Sequence, residues 1–409
     1  VAVAWADSAT GETHLRAFRS ATPWSFVTPA LPLGPACTPP TGVGAICTLR
    51  RAMGSLFAVN PAAGTIAAID PDAWVITRTY EVGAAAAPVD IAVVGPRTAW
   101  VTRGTATRLL RLDLVTGATQ EMTDLSIFAD ADGIPDMGTM ISHEGRVFVQ
   151  IRRAGPAGFV RPAMLAVVDA ASGDLIDADP ALPGSQAIEL EGTAARGRMQ
   201  VIPQTRRLVV LAAGAYQDDG GIEVVNLDSL RTEGLAIREM AEDADVGADL
   251  EAITMVSPTE GWLTFTTDFA LSAHLHAFTL AGAVDPSEPF MTLGYYPETL
   301  LHDNAAGLLY FPHGDFGNHG VYVLDAASGS PLTPTPVATG GPPRDLLLFD
   351  AGCGAPGDAN GDGRTDSLDA SSFVGGFLAG ESPCLDLDGS GWLDRTDLGF
   401  FAEILLAGP

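Results

Sequence analysis

Residues 66–102 read "IAAIDPDAWVITRTYEVGAAAAPVDIAVVGPRTAWVT". An apolar run ends at Asp70, a short turn containing Pro and Asp follows, and "VITRTY" resumes a β-branched and aromatic pattern. After a link rich in Gly and Ala come two more such runs, "PVDIAVVG" and "RTAWVT". Short runs rich in Val, Ile, Thr, Tyr and Trp, bounded by Pro, Gly and Asp, read as strands. Their close spacing makes them successive antiparallel hairpins.

The pattern recurs. An apolar strand that usually ends in Asp, a turn and a second strand stand at 13–27, 109–122, 164–176, 221–234, 274–285 and 320–332, which with 65–80 makes seven copies. Each has a β-rich strand just before it, from "VAVAWADS" at the start to "GLLYFPHG" in the last. A third strand lies upstream of every copy but the first, and its missing instance, "PRDLLLFD" at residues 343–350, follows the last copy. A ring of four-stranded sheets explains that offset, because the final strand completes the sheet begun by the first residues and no edge stays exposed. A repeat of roughly fifty residues suits one such blade.

The unit at 66–102 resembles the YVTN-type bacterial β-propellers, whose repeats share the apolar strand ending in Asp, the "VG…P…" link and the following "WVT" strand. The resemblance covers about residues 1–350 and implies an all-β, seven-bladed propeller closed by a C-terminal strand. It implies no single function, since propellers host lyases, quinoproteins, lactonases and pure binding surfaces.

Composition narrows the partners. The formal charge is −28 and all 22 basic residues are arginine, with no lysine anywhere. Such a surface repels nucleic acid and anionic lipid and attracts divalent cations. Without lysine there is no Schiff-base chemistry. No apolar run is long enough to cross a bilayer. The opening "VAVAWADSAT" lacks a basic leader and reads as a mature end left after signal removal. Four cysteines form two local pairs, Cys37 with Cys47 and Cys353 with Cys384, so the expectation is two disulfides in an oxidising compartment, secreted or at the cell surface.

The last part of the chain has a different chemistry. "GDANGDGRTDSLD", residues 357–369, packs four carboxylates and an amide between glycines. Asp358, Asn360, Asp362, Asp366 and Asp369 occupy loop positions one, three, five, nine and twelve, with Gly363 at six and the Arg364 carbonyl at seven. "DLDGSGWLDRTD" repeats the scheme with Asp386, Asp388, Ser390, Asp394 and Asp397, Gly391 at six and the Trp392 carbonyl at seven. A hard cation of calcium's size takes six to eight oxygens, and this alternation turns successive side chains inward while glycine permits the sharp turn. Two bound Ca2+ ions are therefore expected, with "FADADGIPD" and its Asp130, Asp132 and Asp136 as a candidate for one more. One helix should follow each loop, with Leu368, Phe373 and Phe377 on one face of the first and Leu398, Phe401, Ile404 and Leu405 on one face of the second.

No helix pattern precedes either loop, and the twelfth ligand is Asp rather than Glu. Loop plus single helix, twice, resembles the dockerin module of secreted bacterial assemblies, over about residues 353–409. The resemblance implies a module that folds on calcium and docks by a helix face onto a β-rich protein partner. It implies recognition residues at loop positions ten and eleven, here Ser367 and Leu368, then Arg395 and Thr396. The two copies differ at those positions, which does not favour a symmetric two-way docking.

Catalytic groups are not evident. His302, Asp303, His313, Asp315 and His319 cluster in the last repeat without metal-ligand spacing, and no nucleophile elbow is present. The sequence is thus expected to encode a secreted, non-enzymatic structural or adhesive protein whose calcium-loaded module docks onto another copy, head to tail, or onto a surface scaffold. The alternatives are a lyase- or lactonase-like propeller enzyme anchored by its tail and a carbohydrate- or protein-binding receptor.

Overall fold

The computed structural model describes residues 1–7, 10–22, 24–35, 37, 47–83, 85, 87–153, 161–214, 219–239, 249–266, 272–282, 284, 291–294, 299–314, 318–349, 355–360, 364–379, 383–389 and 393–407. Their strands form seven sheets arranged as a closed propeller. The strands nearest the axis are Pro343–Leu347 in blade 1, Leu49–Ala52 in blade 2, Pro88–Gly95 in blade 3, Met137–His143 in blade 4, Ala195–Ile202 in blade 5, Asp249–Met255 in blade 6 and Leu301–Asp303 in blade 7. The ring shuts as the repeat offset requires: Pro343–Leu347 pairs antiparallel with Ala2–Asp7, placing Ala2 opposite Leu347 and Ala4 opposite Asp345.

The aspartate that ends so many third strands has a local cause. Oδ1 of Asp70 accepts hydrogen bonds from the amides of Asp72 and Ala73, Asp113 from Val115 and Thr116, and Asp169 from Ala171 and Ser172. Each carboxylate organises the turn into the outer strand, which is why Asp and Asn are favoured there. The turn closes on a residue in the left-handed region, Gly117 in blade 3 and Gly173 in blade 4, whose amides bond back to the Asp113 and Asp169 carbonyls.

Blade 4 departs from the expected pattern. Its outer position is shared by Leu175–Ile176 and by Ile188–Thr193, which pair with different parts of Pro162–Asp169. The segment between them is rich in Pro, Gly and Asp, so the second piece reads in sequence as a link.

Joints between blades reuse the same chemistry. Asp90 and Asp345 sit in the same setting, Pro-x-Asp followed by an apolar run, near the start of an inner strand. Oδ1 of each accepts from the next residue's amide, Ile91 or Leu346. Oδ2 of Asp90 reaches the Met140 amide of blade 4 at 2.7 Å, and Oδ2 of Asp345 reaches the Leu49 amide of blade 2 at 2.7 Å. Arginine completes both: Arg50 Nη2 stands 2.6 Å from Asp90, and Arg198 Nη2 crosses from blade 5 to stand 2.6 Å from Asp345. Further out, the indole N–H of Trp100 donates to the Ala170 carbonyl of the next blade and that of Trp262 to Ala326, both at 2.9 Å.

Cys37 and Cys47 form a disulfide inside the apolar cluster that joins blades 1 and 2. Cys384 is also disulfide-bonded, while Cys353 lies outside the described residues. No helix among the described residues is long and apolar enough to cross a membrane. Two helices, α1 (Asp369–Ala379) and α2 (Arg395–Ala407), follow the propeller.

The joints make a direct expectation. Asp90 is fully buried, and replacing it by Ala leaves Arg50 and the Met140 amide without their acceptor, which costs about 3–5 kcal/mol of stability. Asp90→Ala should lower the thermal midpoint by several degrees in calorimetry, whereas a change indistinguishable from a surface substitution contradicts the assigned role.

Candidate metal centre

The two acidic loops fold by the same hydrogen bonds, displaced by one repeat. In the first, Oδ1 of Asp369 accepts from the amides of Ala359 and Asn360 at 2.9 and 3.0 Å, and Oδ2 from Asp366 at 2.8 Å. In the second, Oδ1 of Asp397 accepts from Leu387 and Asp388 at 2.7 and 3.3 Å, and Oδ2 from Asp394 at 2.8 Å. The twelfth-position carboxylate is thus fixed by three backbone amides in each loop. Position nine opens the helix: Asp366 accepts from the Leu368 amide and Asp394 from the Thr396 amide, the usual work of an N-terminal cap.

This arrangement brings carboxylates together. Oxygens of Asp386, Asp388 and Asp397 lie within 4.8 Å of one another, and Asp388 and Asp397 are buried. Burial, aided by the neighbouring Asp386 charge, pushes Asp397 up to about 7. Like charges held this close and this dry need a proton or a cation, and an all-oxygen donor set suits a hard divalent ion. The residues therefore fit calcium. Asp358 and Asp369 of the first loop are also buried. Asp362, Ser390 and Trp392 lie outside the described residues, and Arg364 is exposed.

The other candidates do not converge. Asp130 and Asp132 accept amide hydrogen bonds from Asp132 and Ile134 within their own turn. Among the described residues His302, Asp303, His313 and His319 form no metal-like group, and Asp315 lies outside them.

Sequence reasoning missed where the loops sit. The chain after the propeller folds back onto the face carrying the ends of the inner strands of blades 2 to 4. Phe373, Leu385, Leu387, Phe400 and Phe401 belong to one apolar cluster with Phe57 and Tyr80 of blade 2 and Val93 and Val101 of blade 3. Phe373 and Phe401 stack at 4.0 Å between ring centres. The Met53 amide donates to the Leu387 carbonyl at 2.8 Å. Gly389 lies so close to blade 2 that a Cβ there would fall 1.4 Å from the Arg51 carbonyl oxygen.

Propeller side chains also touch three loop carboxylates. Arg51 Nη2 donates to Asp386 Oδ2 at 3.0 Å, Ser142 Oγ to Asp388 Oδ2 at 3.3 Å, and His143 Nδ1 stands 3.0 Å from Asp394 Oδ2. Burial opposes the charge of Asp394, but the His143 and Thr396 hydrogen bonds outweigh it and hold this carboxyl below its ordinary value. No local pattern announces these partners; the paired arginines Arg50 and Arg51 at an inner strand are the one trace in the sequence.

The expected recognition residues are placed at the open side. Ser367, Leu368 and Arg395 are exposed, and Thr396 is half-buried. The expected helix faces are split: Phe373 and Phe401 are buried in the cluster shared with the propeller, but Leu368 and Leu398 are exposed with Val374, Leu378 and Leu406. Phe400, unassigned from the sequence, takes an inward place.

No family model matches the chain, and no curated protein matches it. Solved structures do. A functionally unknown protein from Desulfotomaculum acetoxidans is 12% identical with a TM-score of 0.50, covering 83% of this chain and 97% of its own. Hydrazine synthase of Kuenenia stuttgartiensis (14% identical, TM-score 0.49, 70% and 78% covered) and a streptogramin B lyase (13%, 0.45, 76% and 89%) are similar in the same way. At these identities the likeness is one of fold.

The seat is expected to matter energetically. Phe401→Ala removes a buried ring from the shared cluster and should cost about 3–5 kcal/mol. The loss should show as faster amide exchange in both α2 and the blade 2 inner strand; exchange confined to α2 contradicts a common core.

Proposed function

We propose that this chain is an extracellular, non-enzymatic interaction protein, a propeller bearing a calcium-loaded, dockerin-like module that docks onto a further copy of the chain, head to tail. The observation that carries this reading is the outward side of the module. Leu368 just ahead of α1, Val374 and Leu378 on α1, and Leu398 and Leu406 on α2 stay exposed, as do Ser367 and Arg395, while the inward side is already occupied by the propeller. An apolar face set among exposed polar residues is the signature of a protein contact.

The ring axis supports a scaffold rather than a catalyst. Arg198 spans it to bind Asp345 and the Leu49 carbonyl, and the Arg50–Asp90 pair stands beside it. The cleft next to Arg198, lined also by Arg196, Ile253 and Leu300, has about 10 Å³, room for one water. An enzyme acting on the axis needs space for substrate beside its polar groups. The Cys37–Cys47 disulfide supports an oxidising location.

A contact between unlike patches does not close on itself and can extend into a filament. Charge opposes it, because the chain carries −28 overall, and calcium at the module reduces that repulsion. Light scattering and electron microscopy should therefore show larger particles in calcium that dissociate with chelator. Leu378→Glu, on the outward side of α1, should keep the chain monomeric in calcium without lowering its thermal midpoint. Particles indifferent to chelation, or a persistent monomer in calcium, contradict the proposal.

A further inference from the structure

The first hairpin of blade 1 sets two carboxylates and an imidazole on one face. Strands Ala2–Asp7 and Glu12–Ala17 pair so that Asp7 stands opposite Glu12 and Trp5 opposite His14. Side chains two apart along a strand share a face, so Trp5, Asp7, Glu12 and His14 lie on the same side of the sheet. Like charges directly opposite each other weaken an antiparallel pair.

The imidazole between them lacks a partner of its own. The His14 side chain is 16% exposed, both ring nitrogens are buried, and neither makes a hydrogen bond. Polar atoms buried in this way are costly. Stacking on Trp5, 5.5 Å between ring centres and 23° between planes, holds the ring in place. Its Nε2 is 3.7 Å from Glu12 Oε2 and 4.0 Å from Asp7 Oδ2, both too long for hydrogen bonds. They are spans that a single metal ion bridges. With metal–nitrogen and metal–oxygen bonds of about 2.0–2.2 Å, two ligands of one ion stand at most about 4.3 Å apart. Glu12, 49% exposed, and Asp7, 27% exposed, have room to draw closer to a common centre.

We propose that His14, Glu12 and Asp7 bind one divalent transition ion of the zinc or copper class. The imidazole nitrogen sets this site apart from the all-oxygen loops of the module, which suit a harder ion. One cation answers both defects of the hairpin, since it neutralises the opposed carboxylates and gives His14 Nε2 a partner. Its place gives it a role. Ala2–Asp7 is the strand that closes the ring against Pro343–Leu347, and Trp5, beneath His14, is paired with Pro343. An ion here clips the closing blade near the turn of its hairpin and stabilises the folded chain by binding it. This site is independent of the calcium reading of the module.

Titration of the intact chain with Zn2+ and with Cu2+, in excess Ca2+ so that oxygen sites are occupied, tests the proposal. Zn2+ should raise the thermal midpoint by a few degrees. Cu2+ should quench part of the tryptophan fluorescence, a part lost in Trp5→Phe, and its electron paramagnetic resonance spectrum should carry nitrogen splitting from one imidazole. His14→Gln should abolish the midpoint shift, the quenching and the splitting. Glu12→Gln, at an exposed position, should weaken the binding about tenfold or more. Circular dichroism establishes that each variant is folded, and if His14→Gln is not, Glu12→Gln and the Trp5→Phe quenching decide. Ion uptake that is equal in wild type and the folded variants, or a Cu2+ spectrum without nitrogen splitting, overturns the proposal, as does a chain that takes up neither ion.

Discussion

Asp90 and Asp345, each buried and each gripping the backbone amide of another blade, are the constraint on which the ring depends. Inner strands converge on the axis, where a backbone amide that lacks a strand partner also lacks water, and an unsatisfied buried donor is costly. A carboxylate at the start of an inner strand answers this with one oxygen for its own chain and one for its neighbour. Its burial then calls for a counter-charge. Arg50 and Arg198 supply it, and Arg198 does so by stretching over the axis. The crossing of the axis by Arg198 is thus a by-product of holding the blades together.

The propeller was legible because its signals are local. Strands alternate in steps of two, turns require Asp, Gly or Pro at fixed offsets, and the displaced "PRDLLLFD" run states how the circle closes. The extra outer piece, Ile188–Thr193, was not legible, since "DADPALPGSQ" before it carries every mark of a link. The repeated twelve-residue spacing of the acidic loops is likewise a local property. What lay hidden was long-range. Arg51 and Asp386 are 335 residues apart, and nothing near either one names the other. The helix faces show the same limit, because a helix with apolar residues on two sides does not say which side meets the propeller. Phe373, Phe400 and Phe401 take the inward side, and the leucines Leu368 and Leu398 are left outside.

The seat of the module changes how its chemistry is read. In isolation the last part of the chain is a short acidic segment with two helices too brief to be stable alone. On the propeller it shares a core with blades 2 and 3 and borrows polar partners from blades 2 and 4. Both halves of the internal repeat share that core, through Phe373 in the first and Leu387, Phe400 and Phe401 in the second.

The same seat determines how force travels through the molecule. Tension applied at the outward helices reaches the ring through the Met53–Leu387 bond and the Arg51–Asp386 pair as well as through the chain itself. Such a load is shared between these contacts on blade 2 and the antiparallel closure of Pro343–Leu347 on Ala2–Asp7, a zipper that alone would peel one bond at a time.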